Sequence, residues 1–188
     1  MIIGLTGSYC SGKDTIADYM SKKYGYKHFS LSDVIREIMK EVGIEPTREN
    51  LIAFGAKLRE ENGNGVLAKK VLEKAKNGGK YCITSIRHSE EVNELGKRED
   101  FVLLNVDAPQ DVRFERMQKR KRPGDPQTLE KFIELEKKES QTSGSRQQLR
   151  KTANMADITF INDSNNITTL EATVDNLLKD LENERRNL

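Results

Sequence analysis

The sequence is 188 residues long, 33% charged and 35% apolar, with a net charge of +2. That length suits one domain with a core of ordinary size, and the near-balanced charge excludes a global field for nucleic acid or membrane. Two cysteines, Cys10 and Cys82, give no disulfide framework and no metal-ligand spacing. No apolar run approaches the roughly 20 residues of a bilayer span, and MIIGLTG is too short and uncharged for a signal peptide. A cytoplasmic protein is expected.

Strand and helix patterns alternate along the chain. The apolar run 2–6 reads as a buried strand, followed at once by a glycine-rich loop. Ile16, Tyr19, Met20 and Tyr24 recur at helical spacing over 13–24. A brief strand is expected over 27–30, then a helix striped by Val34, Ile35, Ile38, Met39 and Val42. Gly43 and Pro46 break the chain, and Thr47 is placed to cap a helix presenting Leu51, Phe54 and Leu58. The next helix is expected over 66–76, ending at Asn77-Gly78-Gly79. Strands are expected over 81–84 and 101–106 around a helix near 90–97, then a helix carrying Val112, Phe114 and Met117. A charged helix over 129–139 precedes a polar stretch, 141–148, the one candidate flexible segment. A last strand over 158–161, a turn over 162–166 and a helix with Ile167, Leu170, Val174, Leu177, Leu178 and Leu181 complete the chain. Repeated strand–helix units imply an α/β fold with a five-stranded parallel sheet covered on both faces. Residues 1–188 are read as one domain.

GSYCSGKDT, residues 7–15, matches G-x-x-x-x-G-K between a predicted buried strand and a predicted helix. Glycines let backbone N–H groups turn inward on a polyphosphate, and a helix N-terminus adds positive potential. Lys13 adds a point charge near the β- and γ-phosphates. Asp14 stands where a hydroxyl usually holds Mg²⁺, and Thr15 follows one residue later. A carboxylate is a strong oxygen donor for Mg²⁺. Asp14 also suits the positive first turn of a helix with no metal role.

Three charged regions are candidates for holding an acceptor. In the helix after the second strand, Asp33, Arg36 and Glu37 share the face opposite the apolar stripe, as an acceptor-phosphate fork or as a surface salt-bridge set. Arg87 follows a strand end, where ligands bind in open α/β sheets; His88 beside it reads as a surface residue. Arg113, Arg116, Lys119, Arg120, Lys121 and Arg122 run into Pro123-Gly124-Asp125-Pro126, a pattern suited to a lid that closes on phosphates. A solvated helix face remains open for that region, while a nucleic-acid surface lacks aromatic stacking residues nearby.

LTGSYCSGKDT, LSDVIRE, EPTRENL with LREENG, SIRHSEEV, VDAPQDVRFERMQKRKRPGDP and MADITFIND together resemble the small P-loop kinases related to adenylate kinase and dephospho-CoA kinase. A similar domain is fused to some deoxycytidylate deaminases. The resemblance implies a three-layer P-loop NTPase fold with a short lid over about 116–126, and ATP with Mg²⁺ as cofactors. Gly7, Ser8, Cys10, Ser11, Gly12, Lys13, Asp14 and Thr15 would hold ATP, with Asp14 and Thr15 toward the metal. Asn162-Asp163-Ser164 resembles the turn near the adenine. Ser32 and Arg36 resemble the acceptor segment, and Arg87 the second phosphate-binding arginine; Arg116, Arg120 and Arg122 occupy the lid positions that stabilise the transferring phosphoryl. Asp33 and Lys13 join Arg116 and Arg120 as the catalytic set. Thr84 stands where many relatives carry an aspartate, which leaves Asp14 and Asp33 as the carboxylate candidates.

The expected activity is ATP-dependent phosphoryl transfer to a small phosphorylated acceptor, a nucleoside or deoxynucleoside monophosphate. The alternatives are dephospho-CoA kinase, with Asp33 as general base, and an ATP-binding regulatory module without turnover. A small-molecule nucleotide is the expected partner, with no membrane and no nucleic acid; the oligomeric state is open.

Overall fold

Strand β1 (Ile2–Thr6) is buried along its whole length, as only a central strand covered on both faces can be. The computed structural model describes residues 1–121, 124–140 and 148–186. Beside β1 lie β3 (Tyr81–Thr84) and β4 (Phe101–Asp107), and outside them β2 (Lys27–Ser30) and β5 (Ile158–Ile161). The order is β2-β3-β1-β4-β5, and every neighbouring pair is parallel. Ile2 sits opposite both Tyr81 and Phe101, which fixes the register of the three inner strands.

Alternation along β1 sends its side chains to two different cores. Ile2 joins Leu31, Ile35 and Met39 of α2 (Leu31–Glu41) and Leu67 and Val71 of α4 (Val66–Lys74). Ile3 and Leu5 join Ile16 and Met20 of α1 (Lys13–Tyr24) and Val174 and Leu178 of α9 (Ile167–Arg186). The expected α/β architecture, a five-stranded parallel sheet with helices on both faces, is the one observed.

Boundaries follow local chemistry. Helix α1 ends at Gly25, whose left-handed backbone donates its N–H to the Met20 carbonyl. Thr47 caps α3 (Arg48–Asn62) by accepting the Asn50 N–H, as its position in the sequence predicts. Gly55 lets α3 approach the Ile35 side chain of α2, where a Cβ would come within 2.9 Å. Helix α4 stops at Lys74, two residues short of the expectation, because Ala75 turns extended. Strand β4 runs one residue further than expected, to Asp107. Helices α6 (Gln110–Arg120) and α7 (Leu129–Ser140) pack through Phe114 and the fully buried Phe132. A short helix that the sequence pattern did not suggest, α8 (Leu149–Ala153), precedes β5. Of the polar stretch 141–148, residues 141–147 lie outside the described residues; Gln148 donates its N–H to the Arg87 carbonyl.

His88 is a correction. It is buried, 2% exposed, and caps α5 (Ser89–Leu95) by accepting the Glu90 N–H on its ring Nδ1. Glu91 completes this capping box: its Oε2 accepts the N–H groups of His88 and Arg87. The other carboxylate oxygen of Glu91 accepts two bonds from Arg59 of α3, at 2.8 and 3.1 Å. Both side chains are buried, at 0% and 5% exposure, so this pair ties α3 to the end of β3. Removing one partner of a buried pair strands the other charge, so Glu91→Ala is expected to cost about 3–5 kcal/mol of stability in denaturant unfolding.

Candidate functional site

β1 lies where the strand order reverses, with β3 on one side and β4 on the other, so its carboxyl end opens into a crevice. The loop of residues 7–12 fills that crevice. Gly7 (φ 124°) and Gly12 (φ 104°) turn the chain in conformations L side chains rarely adopt, and Cys10 is left-handed at φ 55°. Space matters as much as φ. A Cβ on Gly7 would run into the Val106 carbonyl of β4, and one on Gly12 would meet the Asn162 amide at 2.5 Å.

Lys13, the first residue of α1, folds its ammonium back onto the loop. Its Nζ donates to the Gly7 carbonyl (3.0 Å), the Ser8 carbonyl and the Ser11 hydroxyl (3.2 Å). Burial, with the nearby Arg87 guanidinium adding to it, lowers the Lys13 ammonium from its ordinary value to about 8. Asp14 and Asp107 pull in the opposite direction. Asp14 and Thr15 follow in the exposed first turn of α1.

Two clefts meet at this loop. The first, about 390 Å³, lies between the loop and the turn after β5; Arg116, Asn162, Ser164 and Leu170 are among its walls. The second, about 490 Å³, lies between the loop, the ends of β2 and β3, and helices α2 and α3. Both are lined by Cys10, Lys13, Asp14 and Arg120.

Arg116 builds the wall of the first cleft. Its guanidinium donates to five oxygens: the carbonyls of Cys10, Ser11, Asn162 and Ser164, and the Asn165 side chain. Asn162 adds a 2.8 Å bond to the Ser11 carbonyl. Loop and turn are thereby stapled together. Arg120 is held by Asp125 through two 2.9 Å bonds and lies 5.3 Å from the Tyr9 ring centroid. Arg113, which the basic pattern grouped with them, points inward instead, bonded to the Ala108 carbonyl and to Glu136. Arg122 lies outside the described residues.

In the second cleft, Arg36 donates to Asp33 (2.7 Å) and to Ser32 (2.9 Å), all three within the first turns of α2. Ser32, Ser30 and Ser85 form a triangle of hydroxyls at 2.8–3.3 Å. Ser85 reaches it from a left-handed backbone (φ 62°). Thr84 is buried and paired with His28 at 2.8 Å. Arg87 lines the second cleft and stands 5.7 Å from the Tyr9 ring.

Sequence reasoning passed over Tyr9, Arg48, Arg59 and Asp107. Asp107 ends β4 beside the loop, where its Oδ1 accepts the Ala108 N–H. An acid closing an apolar strand was visible; that this strand neighbours β1 was not. Among the described residues, no three His, Cys, Asp or Glu side chains cluster closely enough to hold a metal ion by themselves. No described helix is long and apolar enough to cross a membrane.

Known proteins are similar to this chain in sequence and in fold. A family model described as an AAA domain matches residues 6–134. A UPF0200 protein of Pyrococcus abyssi is 39% identical over 146 residues, covering 74% of this chain and 78% of that one. A UPF0200 protein of Methanocaldococcus jannaschii is 35% identical over 143 residues, covering 74% and 72%. Among solved structures, shikimate kinase of Bacteroides thetaiotaomicron superposes with a TM-score of 0.61 at 17% identity, over 97% of this chain and 98% of that one. Shikimate kinase of Aquifex aeolicus gives 0.55 at 19% identity, over 98% of both chains. The fold is that of the P-loop kinases.

A polyphosphate in the loop favours the charged form of Lys13, whose free-state value is near 8. If a nucleoside triphosphate fills the loop, its binding is expected to take up protons between pH 8 and 9 and to weaken as pH rises through that range. Calorimetry in buffers of different ionisation enthalpy reads the uptake, which Lys13→Met removes.

Proposed function

The chain belongs to the UPF0200 family and to the AAA-domain family matched over residues 6–134, and we propose that it transfers a phosphoryl group from ATP to a small phosphorylated acceptor, a nucleoside or deoxynucleoside monophosphate. One observation carries this reading: two clefts of similar volume share Lys13, Asp14, Cys10 and Arg120. A donor in one and an acceptor in the other would present their reacting oxygens to the same four residues.

The donor cleft fits a nucleoside triphosphate. Three residues with positive φ turn the loop backbone toward the cleft, and the helix α1 dipole adds to it. Lys13 has its three protons directed at loop oxygens, a geometry that a phosphate oxygen can take over. Asn162, Asn165 and Asn166 supply amides beside Ile167 and Leu170 for a base. Asp14 and Thr15 are the residues that would hold Mg²⁺, which prefers one or two protein ligands with phosphate oxygens and water completing its shell. When bound, the metal offsets the charge of the phosphates.

The acceptor cleft supports the second half. Arg36 and Arg87 offer guanidinium forks for a phosphate, while Pro46, Leu51, Ile52 and Leu67 give the same cleft an apolar side for a base. Catalysis then consists of holding the two partners in line and offsetting developing charge, with Lys13 and Arg120 at the shared boundary. Arg116, bonded to the loop and turn, shapes the donor side. A second reading, transfer to an alcohol, is supported by Asp33, an exposed carboxylate lining the acceptor cleft where it could accept a hydroxyl proton.

Lys13→Ala should lower ATP-dependent turnover by about 10²–10³-fold, the effect of removing one preorganised donor. Full activity in that variant would defeat the assignment. A coupled ADP-release screen of nucleoside monophosphates against dephospho-CoA separates the two acceptor classes. Tight ATP binding with no acceptor-stimulated ADP release would leave a regulatory ATP-binding module.

A further inference from the structure

We infer that Arg59 reads the base of the acceptor. The outer edge of its guanidinium, which Glu91 leaves open, selects a base presenting two neighbouring hydrogen-bond acceptors on one edge. Cytosine does so with N3 and O2, and guanine with O6 and N7. The inference deepens the function proposed above and rests on its reading of the second cleft as the acceptor site.

A proton inventory carries the argument. A guanidinium offers five N–H donors in a fixed plane. Nε and Nη2 of Arg59 each give one to the same carboxylate oxygen of Glu91, at 3.1 and 2.8 Å. The remaining donors, both on Nη1 and one on Nη2, lie along the edge that points away from Glu91. Among the described residues nothing accepts from them. Nη1 is not fully enclosed, so it meets open space. The space that Arg59 lines is the second cleft, although its side chain is only 5% exposed. A buried donor without a partner is costly, so an open edge on a cleft wall points to a ligand.

Helix α3 sets this edge. Ile52, Gly55 and Arg59 recur at helical spacing and share a face. A Cβ on Gly55 would come 2.9 Å from the Ile35 side chain and 3.4 Å from Nη1 of Arg59. Glycine weakens a helix interior; here it lets the guanidinium lie close against α3. Glu91 is itself fixed, since its second oxygen accepts the N–H groups of Arg87 and His88. The fork is thus oriented before a ligand enters, which spares rotamer entropy on binding.

The pairing also narrows the ligand. Glu91 already balances the charge of Arg59, and both side chains are buried. A second carboxylate or a phosphate at this edge would bring a buried charge without a counterpart. A neutral edge with two adjacent acceptors meets the outer N–H groups and leaves no charge over. Pro46, Leu51, Ile52 and Leu67 line the same cleft and suit the faces of a ring. Adenine and uracil alternate acceptor and donor along their edges, so one N–H of the fork would face another N–H.

The test measures kcat/KM of the full chain by ADP release at saturating ATP. The acceptors are monophosphates of cytosine, guanine, adenine and uracil nucleosides, in ribo and deoxy forms. The preferred acceptor is expected to carry cytosine or guanine, ahead of adenine and uracil by at least about tenfold, the scale of one bidentate contact. Removing one acceptor atom from the ligand leaves the protein untouched: the 3-deazacytosine or 7-deazaguanine analogue of the preferred acceptor should lose about tenfold. Arg59→Lys keeps a cation beside Glu91 without the planar fork, and should bring the four bases within about threefold of one another. An adenine or uracil acceptor that ranks first or equal overturns this inference and leaves the proposed function standing. A deaza analogue used as well as its parent does the same. So does an Arg59→Lys variant that slows all four bases alike, the mark of a structural role only. ADP release with none of the monophosphates overturns the proposed function and this inference with it.

Discussion

The contact between Gly7 and the Val106 carbonyl governs the site. β1 is wedged between two parallel neighbours, and its chain must turn away at Gly7 with no room for a side chain. A residue with a Cβ there would push β1 from β4 or open the loop. Six residues after that turn, Lys13 begins α1, beyond the carboxyl end of the central strand. The two clefts are the two sides of that turn.

Charge organisation follows from the same placement. A part-buried ammonium at the loop needs oxygens around it, and the loop supplies its own. Several guanidinium groups around the loop tie elements together: Arg59, Arg113 and Arg116 are bonded to acids or carbonyls. Arg48, Arg87 and Arg120 come close to the Tyr9 ring at the second cleft, Arg120 while bonded to Asp125. An inventory of arginines in the sequence cannot show these contacts, since they depend on which elements fold beside one another.

Much of the fold was legible. β1, β2, β3 and β5 and the helices α1 and α3 matched their expected positions; β1 and β3 are short apolar runs, and the helices carry boundary residues, Gly25 after α1 and Thr47 before α3. The loop was legible because glycine spacing and strand–helix context agreed, while Asn162 was singled out only by the family resemblance. Misses share a physical cause, which is that partners distant in sequence decide the outcome. His88 looked exposed because its cap depends on Glu91, itself buried only by Arg59 from α3. Arg113 looked like a lid cation because Glu136 lies on another helix. Helix α8 is five residues long, too short for a period to show, and leans on Gln148 and the buried Thr152. Arg48 lies in the EPTRENL segment, but only the fold brings it to Tyr9.

The staple between the loop and the turn after β5 also orders events in time. Ser11 and Asn162 are 151 positions apart, and Arg116 lies between them in sequence while bonding both segments. Synthesis runs from the N-terminus, so the glycine loop emerges before the turn after β5. The wall that turns this loop into a cleft arrives only with the turn that follows the last strand. Until that turn has emerged, the nascent chain has the loop but not the cleft beside it.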